Sequence, residues 1–438
     1  MTLEFVSNFE FRASNLDSMR KVIQYILKFL SIAVLTKYKP RVVAITGSVG
    51  KSSAKEAVFL VLAGSFPGEV RRSEDNLNTE IGVPLTIIGG KEAKRDIFLW
   101  ISNFFKGVKL LLIKDKNYPK ILVLEMAADK PGDIAYLTSF ICPDVAVVTA
   151  IGEMPVHLEF FPERDKYIGE KANVIKSLRP GGAAILNYDD LAVRELRDRV
   201  PTDRSRIYYG FEAGAEIRID DFSYEVPAKT EEIEKCGMDF KIEDRLVGAS
   251  ADFKINKNLG LPTLYAALAA TAVSRAFGLD LKDAAKSLEK FRSPAQRLEI
   301  LAGVKNSIII DDSYNSSPLA CEAALEVLFK FKKNRKLAAL GSMRELGFNT
   351  EEAHRRLGLK AAKIADVLFL VGDEMVFARE EAQKIGLKLG RDLFWFSGSE
   401  EAAKEVERVL QPNDVVLIKG SRSVRMEAVV EEIRMLAS

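Results

Sequence analysis

The sequence predicts an α/β protein: a phosphate-loop domain on a mostly parallel sheet, then a second, Rossmann-like domain. Three observations lead there. The strand-like run Arg41–Thr46 passes directly into Gly47-Ser-Val-Gly50-Lys51-Ser52-Ser53 and a helical pattern. Apolar runs at Val42–Ile45, Ile121–Leu124, Val145–Thr149 and Ala183–Leu186 alternate with helical or looped segments, the pattern of strands covered on both faces. After Phe291-Arg-Ser-Pro294 the alternation restarts, with strands expected at Ser307–Ile310, Leu337–Leu340, Val367–Val371, Leu393–Phe396 and Val415–Ile418. Residues 40–291 and 292–438 are thus read as two domains, preceded by a segment 1–39.

Composition narrows the class. The 438 residues are ample for a large core, and 47% hydrophobic with 29% charged residues is ordinary for a soluble globular chain. Sixty-four basic against 62 acidic residues give no general reason to bind nucleic acid. Cys142, Cys236 and Cys321 lie far apart without a C-x-x-C, which argues against disulfides or structural zinc and for a reducing cytoplasm. His157 and His354 are the only histidines, too few for a histidine-rich metal site.

In segment 1–39 a helix is expected from Asp17 to Leu35, with Met19, Val22, Ile23, Ile26, Phe29, Leu30 and Ala33 apolar and Lys21 and Lys28 on its polar side. No acid occurs between Asp17 and Glu56. The apolar stretch is shorter than the ~20 residues a membrane span needs, and no signal-peptide cleavage site follows. Two readings stand: a helix packed on the next domain, or a basic amphipathic element on an anionic membrane surface.

The Thr46–Ser53 loop has the residue types a polyphosphate requires. Gly47 and Gly50 let successive N–H groups turn inward at a helix N-terminus, Lys51 reaches terminal phosphates, and the Ser52 hydroxyl suits a Mg²⁺ shell. The first glycine of the longer motif is replaced by Ile45, leaving T-G-x-x-G-K-S. The alternative is a strand-turn-helix corner with a solvated Lys51.

Further along, Glu125 ends an apolar run, where a carboxylate either holds Mg²⁺ or bonds loop amides. His157 follows Val145–Thr149 by one loop and reads as a ligand or a capping donor. Lys171, in a helical stretch from Tyr167 to Leu178, reads by itself as a solvated surface lysine. Between Gly210 and Lys257, Glu216–Ile219 and Asp239–Ile242 alternate like short antiparallel strands, and an alanine-rich helix from Pro262 to Phe277 ends at Gly278. Arg297 stands just past the linker, placed for a phosphate or an interdomain salt bridge. Asp311-Asp312-Ser-Tyr314-Asn315 follows the first strand of the second domain and suits ribose, phosphate or an Asx turn. Thr350 and Ser399 mark helix starts with acids in the first turn.

Taken together, ITGSVGKSSAKE (45–56), NLNTEIGVPLT (76–86), LEMAADKPGDIA (124–135), HLE (157–159), DDSYNSSP (311–318), GSMRELG (341–347), EEAHRRLG (351–358) and KGSRSVRME (419–427) resemble the Mur ligases. These are the ATP-dependent amide-bond-forming enzymes of peptidoglycan synthesis, and the likeness is greatest to their D-alanyl-D-alanine-adding branch. The resemblance implies an acyl-phosphate ligase joining a muramoyl-tripeptide to D-Ala-D-Ala. It implies that Thr46–Ser53, Arg297, Asp312 and Tyr314 bind ATP, with Arg297 on the γ-phosphate and Asp312 on the ribose. Ser52 and Glu125 would hold one Mg²⁺, and His157 a second with Lys171 converted by CO₂ to a carbamate. Lys51, Glu125, His157, Lys171 and Arg297 would form the catalytic set. Asn78 and Thr79 match the acyl-substrate loop, and Ser421 and Arg422 the loop near the incoming amine. A cytoplasmic monomer acting on a muropeptide and a dipeptide is expected, with peripheral contact to an anionic membrane as an option. Two departures stand out. About forty residues precede the phosphate loop, where the family carries a uridine-binding domain, so that domain is expected to be lacking. Pro262, Thr263 and Ala266 occupy positions where the family places polar residues that read adenine.

Overall fold

The computed structural model describes residues 2–74, 77–94 and 96–435, with side chains described from Arg20 onward. Among the described residues one sheet has nine strands, ordered β2-β3-β1-β4-β5-β6-β7-β8-β9. They are β1 (Arg41–Thr46), β2 (Val70–Arg72), β3 (Ile121–Glu125), β4 (Val145–Val148), β5 (Ala183–Asn187), β6 (Ser205–Gly210), β7 (Ile217–Glu225), β8 (Gly237–Asp244) and β9 (Ala249–Asn256). β2 to β6 pair in parallel, and β7, β8 and β9 form an antiparallel meander. The predicted parallel strands are thus present, while β2, β6 and β9 escaped sequence reading because they are short or alternate too weakly.

β1 shows why its run is uninterruptedly apolar. Val43 and Ile45 enter a core shared with helix α2 (Lys51–Ser65) and the alanine-rich helix Leu261–Ala276. Val42 and Ala44 face the opposite core, with Leu27, Leu30 and Val34 of α1 (Thr2–Tyr38) and with α3 (Gly82–Ile88). A strand covered on both faces has no polar position to offer.

The N-terminal helix is longer than predicted and its inner face differs. Leu27, Leu30, Ser31 and Val34 are buried, whereas Val22, Ile26 and Phe29 are exposed. Met19 lies outside the described side chains. The cause is visible in the sequence: the helix is apolar on most sides, so periodicity alone could not select the face that packs. Its cations are partly committed to tertiary contacts. Lys37 Nζ donates to the carbonyls of Leu110 and Leu111 (2.9 and 2.8 Å), at the end of α4 (Ile97–Leu112), and Lys28 Nζ donates to Ser139 Oγ at 2.9 Å.

The second sheet has six strands among the described residues, ordered β10-β11-β15-β12-β13-β14. These are β10 (Glu299–Ala302), β11 (Ile308–Asp312), β12 (Lys336–Gly341), β13 (Val367–Val371), β14 (Leu393–Phe396) and β15 (Val415–Lys419), parallel except for β10. The linker is fixed by Asn258: its Nδ2 donates to Phe291 O (3.1 Å), and its Oδ1 accepts from Ser293 N (2.7 Å).

Candidate active site

The carboxyl ends of β1, β3 and β4 converge on one edge of the first sheet, where open α/β sheets present ligand-binding loops. Ser48 and Val49 donate their N–H groups to Ala150 O after β4, at 2.7 and 3.1 Å. This strap needs Gly47, whose φ is +146° and where a Cβ would lie 2.1 Å from Thr149 Oγ1. Gly50, at φ +88°, caps α2. Lys51 Nζ bridges the carbonyls of Gly47 and Ser48 at 3.0 and 3.1 Å. Burial lowers its pKa, Glu125 opposes that shift, and Arg297 from beyond the linker adds to it. Thr46 is buried, its hydroxyl donating to Met126 O, and Ser48 Oγ lies 2.7 Å from Tyr167 Oη.

Glu125 ends β3 almost fully buried. Its Oε1 accepts from Ser52 Oγ (3.3 Å) and Asn78 Nδ2 (3.0 Å), while its Oε2 has no hydrogen-bond partner and stands 3.7 Å from Lys55 Nζ. A buried carboxylate oxygen left open beside a serine hydroxyl is the donor set a Mg²⁺ completed by phosphate oxygens would use. Among the described residues no group of three His, Cys, Asp or Glu could hold a metal alone. Thr79 is structural in part, its hydroxyl accepting from Gly82 N at 3.3 Å.

Lys171 is fully buried, contrary to its reading as a solvated lysine, with Lys51 of the phosphate loop and Asp129 and Asp133 after β3 as its charged neighbours. Its Nζ sits 4.9 Å over the Tyr167 ring. Desolvation, reinforced by Lys51, lowers its pKa to about 7 against the pull of Asp129, Glu170 and Asp133. His157 is held with φ +66°. Its pKa falls to about 4, chiefly through burial, with Asp129 opposing and Lys51 and Lys171 assisting. It is therefore a neutral imidazole at pH 7, the form that ligates metals. Glu345 Oε2, from the second domain, lies 2.5 Å from its Nδ1, and Asp129 Oδ1 lies 3.7 Å from its Nε2. His354 is different: Met343 N donates to its Nε2 (3.0 Å) and its Nδ1 meets Thr350 O (2.6 Å), a buried structural histidine.

Beyond the linker, the Arg297 guanidinium stacks 4.4 Å over the Tyr314 ring, and Arg422 approaches the same ring at 5.8 Å. Asp312 is paired with Lys419 Nζ at 2.5 Å, and Lys419 also donates to Asn315 O. Burial pushes the Asp312 carboxyl up, with Lys419 and Arg297 pulling it down. Ser421 Oγ accepts from Arg344 N at 2.9 Å. A cleft beside the phosphate loop runs between Val49 and Ala54 on one side and Pro262, Ala266 and Leu319 on the other, with Asn187 and Tyr265 among its polar members. Thr263 does not line it, being buried with its hydroxyl on Leu259 O.

The structure thus brings Lys51, Ser52, Glu125, Asn78, His157, Lys171 and Arg297 to one region. Lys55, Asp129, Glu345 and Lys419 were missed. A lysine closing the apolar strand β15 was the available signal for Lys419; Glu345 and Asp129 are recruited only by tertiary folding.

Residues 104–259 match the Mur ligase middle domain, and residues 296–422 match the Mur ligase, glutamate ligase domain, together well over half of the chain. The chain belongs to the Mur ligase family. Curated relatives of this Mur ligase include the UDP-N-acetylmuramoyl-tripeptide–D-alanyl-D-alanine ligases of Bacillus subtilis and Escherichia coli. The first is 28% identical over 411 residues (93% of this chain, 79% of that protein), the second 27% over 399 (90% and 77%). Among solved structures, MurF from Thermotoga maritima in complex with ADP superposes with a TM-score of 0.73 at 26% identity, covering 93% of this chain and 83% of that one. MurF from Acinetobacter baumannii gives 0.75 at 24%, covering 93% and 80%.

Proposed function

We propose that this Mur ligase is an ATP-dependent amide-bond ligase that joins D-Ala-D-Ala to a muramoyl-tripeptide through an acyl phosphate. The observation that carries the reading is the open Oε2 of buried Glu125, whose other oxygen accepts from Ser52, the residue after Lys51 in the phosphate loop. The curated relatives with that activity match along nearly the whole chain.

In the first step a carboxylate oxygen of the tripeptide attacks the γ-phosphorus of ATP, the bond to the bridging oxygen breaks and ADP leaves. The neutral dipeptide amine then attacks the acyl carbon, the acyl C–O bond breaks, phosphate departs, and the nitrogen gives up one proton to phosphate or solvent. Two anions must approach each other, so the residues' task is charge neutralisation and alignment. Lys51 and the N–H groups of Gly50–Ser52 at the start of α2 hold the phosphates, and Arg297, braced on Tyr314, faces the transferred group. Asn78 aligns the acyl side of the site through Glu125. Mg²⁺ bound by Ser52 and Glu125 would neutralise phosphate charge, and a second ion would use neutral His157 with a carbamate on Lys171. Asp312, clamped to Lys419, lies where the nucleotide ribose would be held, while Ser421 and Arg422 would receive the amine. The nucleotide base fits the cleft walled by Pro262 and Ala266, recognised by shape and stacking more than by polar readers. The enzyme acts as a cytoplasmic monomer with peripheral membrane contact.

The decisive assay is ADP release with UDP-muramoyl-tripeptide and D-Ala-D-Ala, each omitted in turn. Release requiring both, with an amide product by mass spectrometry, supports the reading; release with only another acyl or amine partner replaces the substrate assignment. The cleft is tested separately. Ala266 is nearly fully buried, and Ala266→Phe should raise KM for ATP at least ~10-fold with little change in kcat, because it removes room used equally in ground and transition states. Unchanged KM would move the base elsewhere.

A further inference from the structure

Helix α4 is apolar on the side that faces solvent. Its packed side carries Asn103, Gly107 and Leu110, and Gly107 lets Leu30 of α1 come close enough that an added Cβ would lie 2.9 Å from Leu30 Cδ1. On the opposite side, at helical spacing, stand Phe98, Ile101, Phe105 and Leu112, exposed to 81%, 47%, 63% and 80%. The neighbouring α1 repeats the arrangement, with Val22, Tyr25, Phe29 and Ile32 exposed behind its buried Leu27, Leu30 and Val34. A surface helix ordinarily turns charges outward, so two adjoining helices with outward aromatic and aliphatic side chains mark an interaction surface.

The charges around it choose the occupant. Along 91–116 the described cations are Lys91, Lys94, Lys106, Lys109, Lys114 and Lys116, against Glu92, Asp96 and Asp115. Lys109 lies on the apolar face itself, and no ion pair engages Lys91, Lys94, Lys109, Lys114 or Lys116 among the described residues. α1 contributes no acid from Arg20 to Tyr38. A second copy of this chain would set like patch against like patch and oppose lysine with lysine. No described helix is long and apolar enough to cross a membrane.

We propose that the outward face of α4, flanked by that of α1, seats peripherally on an anionic lipid bilayer, apolar side chains at the acyl boundary and lysines among the headgroups. The site extends beyond the N-terminal helix, whose cations Arg20, Lys28 and Lys37 are already engaged by Glu80, Ser139 and the α4 carbonyls.

The test is co-sedimentation of the full chain with vesicles of phosphatidylcholine alone or mixed with phosphatidylglycerol. Binding is expected only with the anionic lipid at low salt, and should be lost near ~1 M salt, where the Debye length is about 3 Å. Phe98→Ser with Phe105→Ser should weaken binding at least ~10-fold, and Lys109→Glu with Lys114→Glu comparably, each with an unchanged melting temperature because these side chains already face solvent. No sedimentation of the intact protein with anionic vesicles overturns the proposal, as does binding indifferent to both double variants. A dimer in sedimentation velocity that Phe98→Ser with Phe105→Ser dissociates, without vesicle binding, assigns the face to a second copy and also overturns it.

Discussion

Lys51→Ala should lower kcat for ATP-dependent amide formation by at least ~10²-fold, the scale for losing one preorganised charge contact in a desolvated site. The side chain arches back over its own loop onto Gly47 O and Ser48 O, so its ammonium is positioned before phosphate arrives. Burial disfavours that charge, and Glu125 offsets part of the penalty. Glu125→Gln should produce a comparable loss by removing the open carboxylate oxygen while keeping the shape that Ser52 and Asn78 contact. Lys55, whose side chain is 3% exposed, would keep Glu56 at 3.6 Å, which limits the damage to folding. Steady-state rates alongside thermal melts check both; a normal kcat in either variant removes that residue from phosphate handling.

Lys171→Ala should be nearly as damaging, and short carboxylic acids in solution should restore part of its activity. Only a neutral amine combines with CO₂, losing one proton as the carbamate forms. A free lysine with a pKa near 10.4 is neutral less than about one time in a thousand at pH 7, whereas a group titrating near 7 is neutral about half the time. The same shift has a sign for stability. The folded pKa lies below the unfolded one, so between about pH 7 and 10.5 the unfolded chain binds the extra proton, and stability rises with pH across that window. Lys171→Ala should flatten this rise in urea titrations taken at successive pH values. Wild-type turnover without added acid would exclude Lys171 from the chemistry.

The strands legible in the sequence were those buried on both faces, since uninterrupted valine, isoleucine and leucine runs leave little else to infer. The phosphate loop was legible because its chemistry is local, strand to glycine turn to helix within a dozen residues. Lys171 was not legible. Its spacing suits an exposed helix face, and only the approach of Asp129 and Lys51 from other segments buries it. The same holds for Glu345, which meets His157 from another domain. In α1 too much apolarity hid the packed face.

Two sides of the linker contribute to one site: Lys51, Glu125 and His157 precede it, while Arg297 and Glu345 follow it. Arg297 is flanked by Gln296 at φ +60° and Leu298 at φ +53°, left-handed conformations that side-chain-bearing residues adopt at a cost of roughly 1–2 kcal/mol each. A segment so wound directly after the linker favours discrete placements of the two domains over a continuum. Separated domains would leave the phosphate loop without Arg297, the residue proposed to face the transferred group, and so poor at handing phosphate to water. Fidelity in such an enzyme would rest on assembly: fuel is consumed only when both halves have closed on the molecules to be joined.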